Sequence, residues 1–562
     1  MNKFETIRGR GLLVVGDESL LTPDRLALIS SHMDADPRVA TVSVVAIPSH
    51  GYSETILRAT SPTGPVAVFA EDLVDIVGPL PTDPLNLDNL REWASAASER
   101  GLWHDLLIAM EPDVARAPLV LSRAFVDANE RQDPTSAQHA AFSDAMWSPG
   151  AMTVTVDATW LGPHETGAQV LATAAIEALA LQNDIAAIDL VGVTSLPTYA
   201  QHLENLQKVS LGRRNDAPPA DIVWYPNQID ARSNFGIARA LGTRVVVTYL
   251  DLIAYDIPRY HSSEGSWQAY RALQRVVALS VDGITTISAD VADRLRREVP
   301  GLESCRVQPI LLGLDHIVRD EPEVGQDISE LVAAVSGRPF VLVLGNDFVH
   351  KNRDFAIRVW EEVLNRGIGC DLVLAGLHVR SSSGGESERS LLLTHTNLRG
   401  RYHTVGHVSS GSRAWLLKYA AAVLYPSSAE GFGFVPYEAA AMGTPTTFTS
   451  FGPLREVSRL TSVPQNWTVE AYADDLGRLL TDEGAAQERV EELKKSLERH
   501  TWDAFARELS DFFSRIRTLP LASPVWPLAD IDEKRTAAIL TFPERVLRVM
   551  RRAKHRITQS RD

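Results

Sequence analysis

Short apolar runs alternate with helix-like stretches from residue 152 to residue 448, and this alternation constrains the fold more than any other feature of the chain. "TVTVDA", "IAAIDLVGV", "DIVWYP", "RVVVTYLD", "VDGITTIS" and "RVQPILLG" read as buried strands, followed by "FVLVLGN", "DLVLAG", "AAVLYPS" and "TPTTFTS". Apolar runs without polar alternation suit strands that are covered on both faces. Stretches such as "GAQVLATAAIEALALQ", "NRDFAIRVWEEVLNRG" and "SRAWLLKYAA" between them have helical patterning. Strand, helix, strand repetition demands parallel sheets with crossover helices. The series divides near residue 320, at the polar stretch "RDEPEVGQDIS". The expected fold class is therefore α/β, with two Rossmann-like doubly wound domains facing a cleft that is the natural ligand site.

A chain of 562 residues is too long for one core. We divide it into an N-terminal α/β module (1–150), two Rossmann-like domains (151–320 and 321–518) and a C-terminal extension (519–562). In the module, "GLLVVGDESLLTPDRLALISSHMDADPRVATVSVVAIP" reads as strand, helix, strand, and the following section up to "RQDPTSAQHAAFSD" as irregular and rich in proline and aspartate. Val379 to Ser390, "VRSSSGGESERS", reads as a Ser/Gly-rich loop. The net charge of −16 argues against a broad nucleic-acid surface, so no nucleic-acid partner is expected. Cys305 and Cys370 sit in no metal or redox spacing, and "MNKFETIRGR" has no apolar h-region. The expectation is a reducing, cytoplasmic location. No apolar run approaches the ~18 residues of a membrane helix.

The stretch "SSAEGFGFVPYEAAAMGTP", Ser427 to Pro445, holds Glu430 and Glu438 eight positions apart. It follows the strand "AAVLYPS". Pro436 is tolerated only in a first helical turn, so the helix starts near Phe434 and ends by Gly443. A strand, a glycine loop and a helix N-terminus present free amides and a positive dipole end to a phosphate. Gly431 and Gly433 let the backbone approach closely. The carboxylates would repel that phosphate, but each can accept hydrogen bonds from a pair of sugar hydroxyls. Glu430 can meet a hexose and Glu438 a ribose; an ordinary turn between two solvated glutamates is the competing reading.

This segment resembles the Glu-x7-Glu signature of retaining glycosyltransferases of family 4, with the GT-B fold, the glycogen-synthase-like clan. Other segments agree in order: "VTVDATWLGPHETGAQVLATAAIEALA", "VVVTYLDLIAYDIPRYH", "VDGITTISADVADRL", "QPILLGLDH", "FVLVLGNDFVHKNRDFAIRVW" and "HTWDAFARELSDFFSRI", the last resembling the final donor-domain helix. The match spans about residues 152 to 516. The resemblance implies that Glu430 contacts the transferred sugar, that Gly431, Phe432 and Gly433 offer amides to sugar and phosphate, and that Glu438 binds the ribose. Lys351 would neutralise the departing diphosphate, and Gly167 would face it from the acceptor side. Two positions depart from the family pattern. Asn346 stands where arginine is frequent, with Arg353 or His350 as candidate substitutes. Leu250-Asp251 replaces a His-Asp pair, leaving Asp251 as the candidate there. The implied reaction moves a hexose from a nucleotide-diphosphate sugar to a glycan, lipid-linked or protein acceptor with retention. It uses no protein nucleophile, no cofactor and no metal. A non-catalytic sugar-nucleotide-binding or scaffold protein on the same fold is the alternative, and a nucleotide-sugar epimerase a weaker one.

Residues 10 to 125 resemble, less closely, the later half of a family 2, GT-A type transferase. Asp17 and Glu18 are the candidate metal-side acids of that pattern. The module then reads as a remnant or docking unit, with an unrelated α/β domain as the alternative. From Arg545 onward the tail carries seven Lys/Arg against one Asp, a net +6 that leaves −22 on the rest. Phe542, Val546, Val549 and Met550 share one helical face. Such a helix suits peripheral contact with an anionic membrane, an acidic partner or the chain's own acidic body.

Overall fold

The computed structural model describes residues 3–4, 12–16, 21–48, 55–59, 66–70, 73–77, 87–111, 151–162, 165–214, 219–316, 321–379, 382–394 and 400–522. Asp17, Glu18, the stretch 112–150 and the basic tail lie outside the described residues, as do the readings placed on them. Among the described residues no helix is long and apolar enough to cross a membrane.

Three sheets carry the fold. The N-terminal sheet holds β1 (Lys3–Phe4), β2 (Leu12–Gly16), β3 (Val39–Pro48), β4 (Thr55–Ala59), β5 (Val66–Ala70) and β6 (Trp103–Glu111) in the order β1-β2-β5-β3-β6-β4. Only β3 and β6 run parallel; the other pairs are antiparallel. The section expected to be irregular therefore contributes β4, β5, β6 and the helix Leu87–Glu99. Its prolines and aspartates had suggested otherwise, yet none of them falls within β4, β5 or the first two residues of β6.

The second sheet comprises β7 (Met152–Asp157), β8 (Ile185–Val191), β9 (Val209–Gly212), β10 (Ala220–Tyr225), β11 (Gly242–Tyr249), β12 (Gly283–Thr286) and β13 (Val307–Pro309), all parallel, in the order β13-β12-β11-β10-β7-β8-β9. The third comprises β14 (Phe340–Leu344), β15 (Asp371–Ala375), β16 (Tyr402–Val405), β17 (Ala422–Tyr425) and β18 (Thr446–Phe448), also parallel, in the order β16-β15-β14-β17-β18. The ten strands expected from apolar runs are all present. The two that were not anticipated, β9 and β16, lie at sheet edges and are half-exposed, so no continuous apolar run marks them. These two parallel sheets with their helices form two Rossmann-like halves, as the alternation of apolar runs and helices led us to expect.

Two local expectations differ from the structure. The helix Trp502–Thr518, expected with the donor-side domain, packs on the second sheet instead. Trp224 and Phe513 meet edge to face with centroids 6.2 Å apart, and Arg244 donates to the carbonyls of Arg517 and Leu519 at 3.1 and 2.6 Å. Its buried stripe of Phe505, Leu509, Phe512 and Ile516 needs an apolar partner, and Gly283 of β12 leaves room for Phe512 and Ile516. The Ser/Gly-rich stretch is partly helical, Gly385–Thr394. Asp347 ties its start, accepting from the Val379 amide at 2.7 Å and the Ser383 hydroxyl at 2.8 Å, while Glu386 and Glu388 suit the positive end of the helix.

The N-terminal module packs on both Rossmann-like halves. Arg38 is 2% exposed, and its fork meets Asp290 of the second half-sheet's helix Ala289–Glu298 at 2.6 and 3.0 Å and Asp36 at 2.7 Å. Its guanidinium also lies over Trp103, 3.9 Å from the ring centroid, and beside Phe451 of the donor-side half at 5.2 Å. Removing one member of a buried pair leaves an uncompensated charge. Arg38→Met should therefore lower stability by about 3 kcal/mol, read as a lower urea midpoint. Lys494→Ala, in an exposed pair with Glu491, should change it by less than about 0.5 kcal/mol.

Candidate functional site

Parallel sheets place ligands at the carboxyl ends of their strands. Tyr425 is the last residue of β17, and β14 is its neighbour in the sheet. The loops that follow these two strands therefore emerge side by side. One carries Lys351 in the turn Val349–Lys351, the other carries Glu430. The helix after the glycine loop is Val435–Ala441, with Pro436 in its first turn and Met442 as its cap.

Lys351 and Glu430 meet, Nζ to Oε1, at 2.5 Å. The Tyr425 hydroxyl donates to the same carboxylate oxygen and receives Lys351 Nζ at 3.3 Å. Glu430 is only 8% exposed. A carboxylate so placed requires a partner charge and donors, and here it has both. Burial, followed by the Glu430 charge, raises the Tyr425 phenol well above its ordinary range, which keeps it a hydrogen-bond donor.

Gly431 brings this loop against the opposite half. A Cβ built at Gly431 would fall inside the van der Waals surface of the Leu250 carbonyl oxygen and 3.1 Å from the Asp251 Cβ. No larger residue can sit there without parting loop from strand end. Asp251 closes a tight turn just before the short helix Ile253–Asp256, accepting from the Ile253 amide at 2.8 Å. Burial raises its carboxyl, against the lowering effect of that amide, Arg294 and Lys351. Gly167 opens the helix Gly167–Ala180 and faces the Phe434 ring, 3.7 Å from where its Cβ would be. The starts of the two helices thus come together at the cleft, with Phe434 between them.

Glu438 is 5% exposed and receives Arg413 at 2.5 Å. Both line a cavity of about 310 Å³ whose walls come from both halves, Thr173, Tyr199 and His316 on one side and Arg413, Glu438 and Met442 on the other. Phe432 is buried against Phe434 and Tyr437, with centroids 5.2 and 6.1 Å away. Leu454 packs beneath Gly433.

The remaining candidates are engaged elsewhere. Asn346 accepts from the Leu377 amide at 3.0 Å. Arg353 is buried in a pair with Glu388, Nε to Oε2 at 2.9 Å, and donates to the Gly345 carbonyl at 3.3 Å. His350 is buried against the Tyr260 hydroxyl at 2.9 Å, and burial together with Lys351 holds its pKa well below the usual range. Nearby in sequence to Leu250-Asp251, Tyr249 donates to the Gln274 carbonyl at 3.0 Å and His261 bonds to the Ala254 carbonyl; neither was a candidate. Sequence reasoning missed Tyr425 and Arg413. Tyr425 had a signal, its place at the carboxyl end of a central strand; Arg413 is an ordinary helix surface residue until the fold sets it beside Glu438.

Residues 326–497 match the family model for glycosyl transferases group 1. An uncharacterized glycosyltransferase of Methanocaldococcus jannaschii is 31% identical over 176 residues, 30% of this chain and 43% of that protein. D-inositol 3-phosphate glycosyltransferase of Corynebacterium urealyticum is 31% identical over 105 residues, 18% of this chain and 25% of that protein. The chain thus matches less than half the length of either curated relative. Among solved structures, Anabaena HepE in complex with UDP and glucose is similar at a TM-score of 0.46 and 15% identity, covering 65% of this chain and 99% of that one. The N-terminal domain of Candida albicans trehalose-6-phosphate phosphatase is similar at 0.49 and 12%, covering 66% and 98%.

Overpacking at a closed contact costs roughly 1 to 3 kcal/mol. Gly431→Ala should lower the thermal midpoint accordingly, because its methyl meets the Leu250 carbonyl. Gly162→Ala, with no neighbour within 4 Å of the added carbon, should be neutral or stabilise by under about 1 kcal/mol. Differential scanning calorimetry of both variants checks the contrast.

Proposed function

We propose that the chain transfers a hexose from a nucleotide-diphosphate sugar to an acceptor hydroxyl, with retention and without a metal ion. The observation that carries the reading is the meeting of Lys351, Glu430 and Tyr425 at the cleft, within the region matched by the group 1 glycosyltransferase model. The diphosphate would lie between the helix N-termini of Gly167 and the glycine loop, where amides and dipoles favour an anion. Lys351 would take up the charge that grows as the diphosphate leaves. Glu430 would hold the hexose, and its negative charge would favour the cationic sugar of the transition state. Glu438 would hold the ribose, with Arg413 moving off it as the diol arrives. Attack on the face from which the diphosphate departs would let the leaving phosphate take the acceptor proton, so no side chain has to act as nucleophile.

The sugar, the base and the acceptor follow from binding measurements. A donor at 100 times its dissociation constant adds about 2.7 kcal/mol of stability, so a thermal-shift screen over sugar nucleotides identifies it. With that donor, Lys351→Ala and Glu430→Gln should lower kcat, because their contacts strengthen in the transition state. Glu438→Gln should weaken donor binding by about ten- to a hundredfold and leave kcat nearly unchanged. Loss of kcat in Glu438→Gln with none in Glu430→Gln would reverse the two roles. Leu250, where the resembling family has histidine, favours a second reading, donor binding without transfer. Tight donor binding with no product over hours would establish that one.

A further inference from the structure

The loop Arg100-Gly101 of the N-terminal module, between the helix Leu87–Glu99 and β6, lies behind the site. The Arg100 guanidinium donates to Asn352 Oδ1 at 2.5 Å and grips Asp354 with a fork, at 3.1 and 2.6 Å. Its carbonyl accepts from the Ser428 hydroxyl. Gly101 has φ +75°, and a Cβ there would stand 2.6 Å from the Ala429 Cβ, so the chain reversal is pressed directly on the residue before Glu430.

Asn352 joins the two segments that Arg100 touches. It is fully buried, holds a left-handed backbone at φ 51°, and immediately follows Lys351. Its amide nitrogen donates to the Pro426 carbonyl at 2.9 Å, the Ser428 hydroxyl at 3.0 Å and the His350 carbonyl at 3.2 Å. The Ser428 amide in turn donates to the His350 carbonyl at 2.9 Å. The turn that carries Lys351 and the loop that carries Glu430 are thus pinned to each other, and Arg100 fixes the pin from outside. Asp354 registers the same contact. Burial alone would raise its carboxyl, but Arg100, joined by Arg358 and the Phe355 amide, outweighs it and holds the group below the usual carboxylate range.

We propose that Arg100 is a positioning residue: through Asn352 and Ser428, the N-terminal module sets the relative placement of Lys351 and Glu430. This rests on the reading that those two side chains serve sugar transfer. The module is then part of the working site and not a dispensable appendage. A displacement of about 1 Å in such a pair is enough to cost up to about a hundredfold in rate.

The test uses the full chain and the variants Arg100→Met, Arg100→Lys and Arg38→Met. The last loosens the same module through its pair with Asp290, without removing any contact to Asn352, Asp354 or Ser428. Two readouts are taken below the unfolding range: hydrogen exchange of the Lys351 and Ser428 amides, and steady-state kinetics with the donor found by thermal shift. Arg100→Met should speed exchange at those two amides by about tenfold or more, with β14 and β17 unchanged. Its kcat should fall by about ten- to a hundredfold while the donor dissociation constant stays within about twofold. Arg100→Lys, which keeps a charge but not the fork, should fall between wild type and Arg100→Met. Unchanged exchange at Lys351 and Ser428 in Arg100→Met overturns the proposal. So does a loss of kcat in Arg38→Met equal to that in Arg100→Met, since a loosened module alone would then account for it. If the wild-type protein turns over no sugar nucleotide, the functional reading fails, and the exchange data still decide whether Arg100 holds the two segments.

Discussion

The site depends on one close approach. The backbone of Gly431, in the third-sheet loop, rests on the Leu250 carbonyl at the end of β11 in the second sheet. That contact fixes how near the two Rossmann-like halves come at their carboxyl edges. It puts Glu430 beside Asp251 and brings the start of the helix Gly167–Ala180 to the Phe434 ring. Any side chain at position 431 would hold the halves apart, and the loop would then present its amides to solvent.

Electrostatics at this junction follow from its closure. Three anionic groups, Asp251, Glu430 and Glu438, lie in or beside one cleft, and unpaired they would oppose both burial and an incoming phosphate. Each has a partner. Lys351 and Tyr425 take Glu430, Arg413 takes Glu438, and the Ile253 amide takes Asp251. The cost of desolvating the carboxylates is thereby offset before any ligand arrives. Both cationic partners are long side chains, one 20% and the other 37% exposed.

The central strands, the helix that begins near Phe434 and the two glutamates were legible because each rests on local pattern: continuous apolar runs, a proline in a first turn, a glycine after the last. What was not legible rests on distant residues. The edge strands β9 and β16 are defined by pairing rather than by their own hydrophobicity. The helix Trp502–Thr518 shows a clear apolar stripe, but nothing local says which sheet it will cover. Asn346 and Arg353 were singled out from the family resemblance, and their partners, the Leu377 amide and Glu388, lie more than thirty residues on, where no local pattern announces them. Tyr425 could have been found from its place at the end of a central strand. Arg413 and Arg100 could not, because their partners lie 25 and more than 250 residues away.

That separation bears on how the chain is made. Arg38 and Arg100 each wait for a partner 252 residues later, Asp290 for the one and Asn352 for the other. At a synthesis rate of roughly 5 to 20 residues per second, the interval is about 10 to 50 s. During it Arg38 has Asp36 and Trp103 within the module, while the Arg100 fork still lacks Asn352 and Asp354. The module is thus made long before the residues that complete its contacts with the two halves.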